Sequence, residues 1–174
     1  MKNISTIVFA VILLTSCTVS KKNGYTATQD GDDKVLVGKI NRELIEADTS
    51  FPWFKTNMKY GTADANAVKV FSEKKDNFSM VVFGGTWCHD TQNLLPVFYK
   101  LIDKSGYHAS KITLIGVDKK KQTISNLHKK YNIVNVPTFI IFNNKMEEVG
   151  RVVEYGKLGQ IDKELGQLVQ QKIQ

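Results

Sequence analysis

Phe83-Gly84-Gly85-Thr86-Trp87-Cys88-His89-Asp90-Thr91 is the stretch on which the reading of this chain turns. The apolar run Met80-Val81-Val82-Phe83 leads into it, and a helix-like segment from Gln92 to Asp103 follows. A short apolar run bounded by glycines reads as a buried strand. Cys88 is therefore expected on the first turn of a helix, directly after a strand. Backbone N–H groups are unpaired there and the macrodipole is positive, so a thiolate is favoured, and the thiolate is the reactive form of cysteine. Thr91 stands three residues on, where a redox pair would carry its second cysteine.

The rest of the chain makes that single thiol more pointed. The chain has 174 residues, a formal net charge of +7 and two cysteines. It opens on Met1-Lys2-Asn3, an apolar run from Ile7 to Leu14, and Leu14-Thr15-Ser16-Cys17. A basic start, a short apolar core and small residues at a cut site describe a secretory signal. The apolar core is too short to span a bilayer as a permanent helix. Leu-Thr-Ser-Cys also resembles the lipobox of bacterial lipoproteins, in which the cysteine is lipidated and becomes the first mature residue. On that reading residues 1–16 are removed, Cys17 carries lipid and Cys88 is the only thiol left. The alternative is an ordinary signal peptide with a cysteine at the cut site. A lone cysteine in an exported chain is a candidate reactive thiol; its other reading is a small buried hydrophobe.

Outward from the motif, the chain divides into a signal at 1–16, a flexible tether at 17–34, an N-terminal extension at 35–61 and one domain at 62–174. The tether is inferred from Ser20-Lys21-Lys22-Asn23-Gly24 and Gln29-Asp30-Gly31-Asp32-Asp33-Lys34, which are polar and lack apolar periodicity. In the extension, Val35 to Val37 predicts a short strand, and Asn41 to Glu46 and Phe54 to Tyr60 predict short helices. Phe51-Pro52-Trp53-Phe54 reads as an aromatic cap on the core rather than a partner surface. Thr62 to Lys75 predicts an amphipathic helix with Ala67, Val68 and Phe71 on one face. Strands are predicted at Ser79–Phe83, Ile112–Val117, Thr138–Asn143 and Met146–Val153. Asn143-Asn144-Lys145 should turn the last two into a hairpin. Helices are predicted from the cysteine loop to about Asp103, at Ile124–Tyr131 and at Ile161–Ile173. Pro96 lies inside the first of these and is expected to kink it. Strands alternating with helices imply an α/β fold with a partly parallel sheet.

Trp87-Cys88-His89-Asp90-Thr91 stands in the place of the Trp-Cys-x-x-Cys motif of thioredoxins, and Val136-Pro137-Thr138 in the place of their cis-proline loop. With the order of elements, these make the chain resemble the thioredoxin-like family from about Thr62 to Ile173. The Trp-Cys-x-Asp-Thr form followed by Leu94-Leu95-Pro96 is also similar to thioredoxin-like lipoproteins of Bacteroidetes-type bacteria. The resemblance implies a central mixed sheet flanked by helices, here with an N-terminal helical extension. It also implies that the proline loop lies beside Cys88 and that the Val136 backbone pairs with an extended client peptide, a form of strand addition. No cofactor is implied.

The departures from the family define the expected chemistry. A resolving thiolate would attack a mixed disulfide and release the client; a threonine cannot, although the Thr91 hydroxyl could hydrogen-bond the Cys88 thiolate. Thioredoxins carry a buried acid six residues before the cysteine, and this chain has Val82 there. A protonated His89 would favour the thiolate and Asp90 would oppose it. The expected function is thiol–disulfide exchange by one thiol, with client proteins or small thiols bearing oxidised cysteines as partners and an external thiol resolving the mixed disulfide. The expected location is a bacterial envelope, lipid-anchored in the membrane, with the lack of aspartate after Cys17 leaning to an outer membrane facing the periplasm. The alternatives are a redox-inactive binding or scaffold module, and a lipoprotein whose function resides in the Phe51–Phe54 cap. A metal site at Cys88, His89 and Asp90 is not expected, because successive helix residues point in different directions. A peroxidase reading fails because Gly85 stands where those enzymes place a hydroxyl residue. Lys119-Lys120-Lys121 with Lys129-Lys130 reads as a solvated face, and nothing resembles a nucleic-acid module.

Overall fold

The computed structural model describes residues 24–174. The signal sequence and Cys17 lie outside the described residues. Six strands form one sheet: β1 (Tyr25–Asp30), β2 (Asp33–Ile40), β3 (Phe78–Gly84), β4 (Ile112–Gly116), β5 (Thr138–Asn143) and β6 (Glu148–Val153). Their order across the sheet is β1-β2-β4-β3-β5-β6. β3 and β4 are parallel and every other pair is antiparallel. Six helices accompany them: α1 (Arg42–Ala47), α2 (Pro52–Asn57), α3 (Ala65–Lys74), α4 (His89–Ser105), α5 (Leu127–Lys130) and α6 (Ile161–Lys172). A 3-10 turn, Ala109–Lys111, leads into β4.

The central strands are apolar on both sides because both faces are covered. Along β3, Met80 and Val82 join a cluster with α1 to α4 and α6, including Phe54, Phe71, Phe98, Leu101 and Leu165. Val81 and Phe83 face the other way, into a smaller cluster with Ile115, Val117, Val136 and Ile140. Trp87, Cys88, Leu127, Tyr131 and Ile133 pack against that second cluster. The aromatic cap sits on the first. Phe51, Trp53, Phe54 and Tyr99 meet edge to face in succession, and Phe51 and Phe54 are buried.

One expectation needs correction. The stretch read as a flexible tether folds from Tyr25 onward: β1 and β2 form a hairpin with Asp30 opposite Asp33. The polar run Asp30-Gly31-Asp32-Asp33 is its tip. Gly31 has φ 63°, at the first central position, where a two-residue hairpin turn of the primed type needs a glycine. Tyr25 and Ala27 pack on the core while Thr28 to Asp30 project outward, so the strand carries only a weak apolar signal. The extension is thus two strands and two helices, and it widens the sheet.

Pro96 lies inside α4, which runs as one helix from His89 to Ser105. The proline deprives the Gln92 carbonyl of its helical partner. The Asn57 side chain, from the end of α2, donates to that carbonyl at 3.0 Å. A neighbouring helix therefore satisfies the group the proline orphans.

Candidate thiol site

β3 and β4 end side by side, with Gly84 paired to Gly116. The chain leaves β3 through Gly84-Gly85-Thr86-Trp87 and enters α4 with Cys88 as its N-cap residue. The first intrahelical bond runs from Gln92 N–H to the Cys88 carbonyl, at 3.0 Å. The N–H groups of His89, Asp90 and Thr91 precede it and are the open positive end of the helix. Cys88 is half-buried and is a free thiol.

Every residue of the approach is fastened. Cys88 N–H donates to the Gly85 carbonyl at 2.9 Å. Trp87 Nε1 donates to the Val117 carbonyl at 3.0 Å, which lays the indole across Gly85. A Cβ on residue 85 would stand 2.7 Å from that ring, so only glycine fits. The Thr86 hydroxyl donates to the Lys34 carbonyl at 2.7 Å and accepts from Leu36 N–H at 3.2 Å. The Thr86 carbonyl accepts from Gln92 Nε2 at 3.0 Å.

The proline loop closes the other side. The Val136–Pro137 peptide is cis. Cys88 Sγ donates to the Val136 carbonyl at 3.4 Å, so the sulfur and the loop are in contact. Val136 is 2% exposed, and Thr138, buried beside it, donates its hydroxyl to the Asn135 carbonyl at 2.6 Å. Glu154 N–H donates to the Pro137 carbonyl at 2.7 Å, Asn135 Nδ2 donates to Glu154 Oε2 at 3.3 Å, and Lys121 Nζ donates to Asn135 Oδ1 at 2.9 Å.

Of the residues singled out in the sequence, Cys88, Trp87, Val136, Pro137 and Thr138 come together. His89 is exposed at the start of α4 and Asp90 is partly exposed, and neither side chain has a hydrogen bond among the described residues. Thr91 is 2% exposed, and its hydroxyl accepts from Gly85 N–H at 3.2 Å instead of bonding the sulfur. Val82, where thioredoxins have an acid, is fully buried and paired with Leu114 and Phe139. The basic run is divided: Lys119 binds Asp33 at 2.9 Å on the hairpin, while Lys121 reaches the proline loop. The sequence reading missed Thr86, Gln92 and Asn135. Their signal is proximity to the two motifs, but their bonds cross 50, 6 and 19 residues of sequence.

Comparison with known proteins agrees with this geometry. A family model described as Thioredoxin matches residues 53–161, more than half of the chain, and spans both Cys88 and Pro137. The chloroplast thioredoxin Y of Oryza sativa subsp. japonica is 35% identical over 72 residues, which are 41% of this chain and 40% of that protein. The chain therefore aligns with less than half the length of that relative. Among solved structures, the reduced thioredoxin pre-protein of Schistosoma mansoni is 27% identical, with a TM-score of 0.40 over 62% of this chain and 94% of that one. Thioredoxin O2 of Arabidopsis thaliana, in its oxidised state, is 22% identical, with a TM-score of 0.40 over 63% and 86%. A helix-capping cysteine set against a cis-proline loop, inside a segment matched throughout by the family model, means that this chain belongs to the thioredoxin family.

Proposed function

We propose that the protein carries out thiol–disulfide exchange with Cys88 alone. The observation that carries this reading is the Cys88 sulfur at the head of α4, 3.4 Å from the Val136 carbonyl beside the cis-proline, with the Thr91 hydroxyl committed to Gly85. The Cys88 thiolate attacks one sulfur of a client disulfide. A bond forms between Cys88 Sγ and that sulfur, the client S–S bond breaks, and the second client sulfur leaves as a thiolate. The mixed disulfide is then attacked by a thiolate from the client or a separate small thiol, which regenerates Cys88. When that thiolate is the client's own, the result is isomerisation. When it is a small thiol, the client leaves with a different disulfide or reduced after a second exchange.

The contact with Val136 couples binding to this step. The thiol proton is what the Val136 carbonyl accepts in the resting site. Once the sulfur is in a disulfide that proton is gone, and the carbonyl is free to accept an N–H from an extended client strand. Client pairing is thereby strongest in the covalent intermediate.

For location, the lipobox-like Leu14-Thr15-Ser16-Cys17 supports a lipid-anchored protein of a bacterial envelope, on an outer membrane facing the periplasm, of the Bacteroidetes-type lipoprotein kind. Residues 18–24 would then be all that separates the lipid from β1, a reach of at most about 25 Å. Clients would be met close to the membrane surface.

The test is trapping in cells. Envelope proteins are captured with the full chain, acid-quenched and run without reductant. The wild type is expected to show adducts that reductant removes, Cys88→Ser to show none, and Cys17→Ser to leave the membrane fraction. Identical captured sets with and without Cys88 would sink the exchange reading and favour a redox-inactive binding module.

A further inference from the structure

We propose that Thr86 is a positioning residue for Cys88, acting by clamping the thiol loop to the β1–β2 hairpin. The inference rests on the exchange reading above and adds to it a part of the chain outside the segment the family model matches, which begins at residue 53.

The argument starts from a gap in the sheet. β2 pairs with β4 only through Gly38, Lys39 and Ile40, opposite Gly116, Ile115 and Leu114. Its earlier part, Asp33 to Val37, runs on past the end of β4 with β1 as its one strand partner. The two-residue tip makes Asp30 and Asp33 a hydrogen-bonded pair, and Lys39 N–H donates to the Gly24 carbonyl at 3.0 Å in the same alternation. In an antiparallel ladder the residues between such pairs turn their N–H and C=O groups to the other side. Lys34 and Leu36 therefore present their backbone groups to the space where β4 has already ended.

Thr86 fills that space. Its hydroxyl donates to the Lys34 carbonyl at 2.7 Å and accepts from Leu36 N–H at 3.2 Å. One hydroxyl thus stands in for the donor and the acceptor of a missing strand residue. The residue is 5% exposed, so a lost bond would not be replaced by bulk water without opening the contact. Lys119, from the segment after β4, holds the hairpin tip to the same end of the sheet by binding Asp33 at 2.9 Å and the Asp30 carbonyl at 3.0 Å.

The clamp lies two residues before the sulfur. The Thr86 carbonyl is held by Gln92 from the first turn of α4, and Trp87 is pinned to Val117. No glycine separates Thr86 from Cys88 to absorb a displacement. The position of Thr86 is thereby carried to Cys88 and to its 3.4 Å contact with Val136. Valine would keep the shape of the side chain and supply neither bond.

The experiment compares two rates for the full chain in detergent, with Cys17 replaced by serine so that Cys88 is the one thiol. The first is exchange with an extended peptide whose cysteine is disulfide-linked to 2-nitro-5-thiobenzoate. Cys88 takes the peptide sulfur and releases the coloured thiolate. The second is alkylation by iodoacetamide, which needs a reactive thiol and no docking. Thr86→Val is expected to lower the ratio of exchange to alkylation at least tenfold, and Thr86→Ser to restore it to within twofold. Leu36 N–H should lose protection from hydrogen exchange in the valine variant and keep it in the serine one. A folded valine variant with the wild-type ratio overturns the proposal, as does a serine variant no better than valine. If the valine variant does not fold, the serine variant decides: a ratio within twofold of wild type supports the clamp, and a lower one overturns it. A wild type that releases no coloured thiolate overturns the exchange reading, while Leu36 protection still reports on the clamp.

Discussion

Thr91 is where a dithiol thioredoxin would place its second sulfur, and here it has another task. Its side chain is buried against Gly84, where an added Cβ would stand 2.9 Å from Thr91 Cγ2, and its hydroxyl serves the Gly85 N–H. Removing that acceptor leaves a buried donor unsatisfied, which costs about 1–2 kcal/mol. Thr91→Val should therefore lower unfolding stability in urea by about that amount, and Thr91→Ser should recover most of it. Equal stability for the valine variant would show that the hydroxyl is spare. The motif itself was readable from residue types, because a strand, two glycines and a helix fix where Cys88 must sit. The partner of the Thr91 hydroxyl was not. Sulfur and backbone N–H are both within reach of the first helical turn, and only the path of the Gly84-Gly85 segment chooses between them.

Among the elements, α4 shows the same division between what sequence can and cannot say. Pro96 announces a broken bond at Gln92, but not the amide that mends it, since Asn57 lies 35 residues away on a short helix. The two residues should therefore be coupled. Asn57→Ala is expected to cost about 1–2 kcal/mol, the penalty of leaving the Gln92 carbonyl without a donor. In a Pro96→Ala background residue 96 regains its N–H and can bond Gln92 itself. There Asn57→Ala should cost less than about 0.5 kcal/mol, giving a coupling near 1 kcal/mol in a double-mutant cycle. Additive effects would mean that Asn57 contributes only through its other packing contacts. The β1–β2 hairpin was illegible for a related reason. An edge strand with one half-buried face needs few apolar residues, and Tyr25 and Ala27 are too sparse to separate it from a polar linker. Central strands buried on both faces, such as β3 and β5, declare themselves by near-continuous apolar runs.

Across the whole molecule, the thiol site occupies one end of the sheet, and elsewhere the helix that carries it packs the stem of a lysine inward. Lys100 lies on the inner side of α4 and is only 9% exposed, with no ion pair or hydrogen bond at its amine among the described residues. Burial pushes its pKa down, and the nearby Asp162 carboxylate offsets this only in part. The unfolded chain therefore holds the Lys100 proton more tightly than the folded one. In the window between the depressed folded value and the ordinary lysine value of 10.5, the unfolded state binds more protons, so stability rises with pH. Tyr99 and Tyr107 act oppositely. Burial holds both phenols above their ordinary value of 10.0, so above that pH the unfolded state ionises first and stability falls. Lys100→Met keeps the length of the side chain and removes the partly desolvated amine. Asp162 remains satisfied, because its Oδ2 accepts from Asp64 N–H at 2.7 Å. Because the amine itself reaches solvent, the variant is expected to be more stable than wild type at pH 7 by no more than about 0.5 kcal/mol. That advantage should shrink as pH rises through 10.5, above which Lys100 is discharged in both states of the wild type. The alkaline loss due to the two tyrosines should persist unchanged in the variant. Urea unfolding of both proteins from pH 7 to pH 11 tests this, and a methionine variant less stable at pH 7, or a difference independent of pH, would show that packing the lysine stem inward costs the amine nothing.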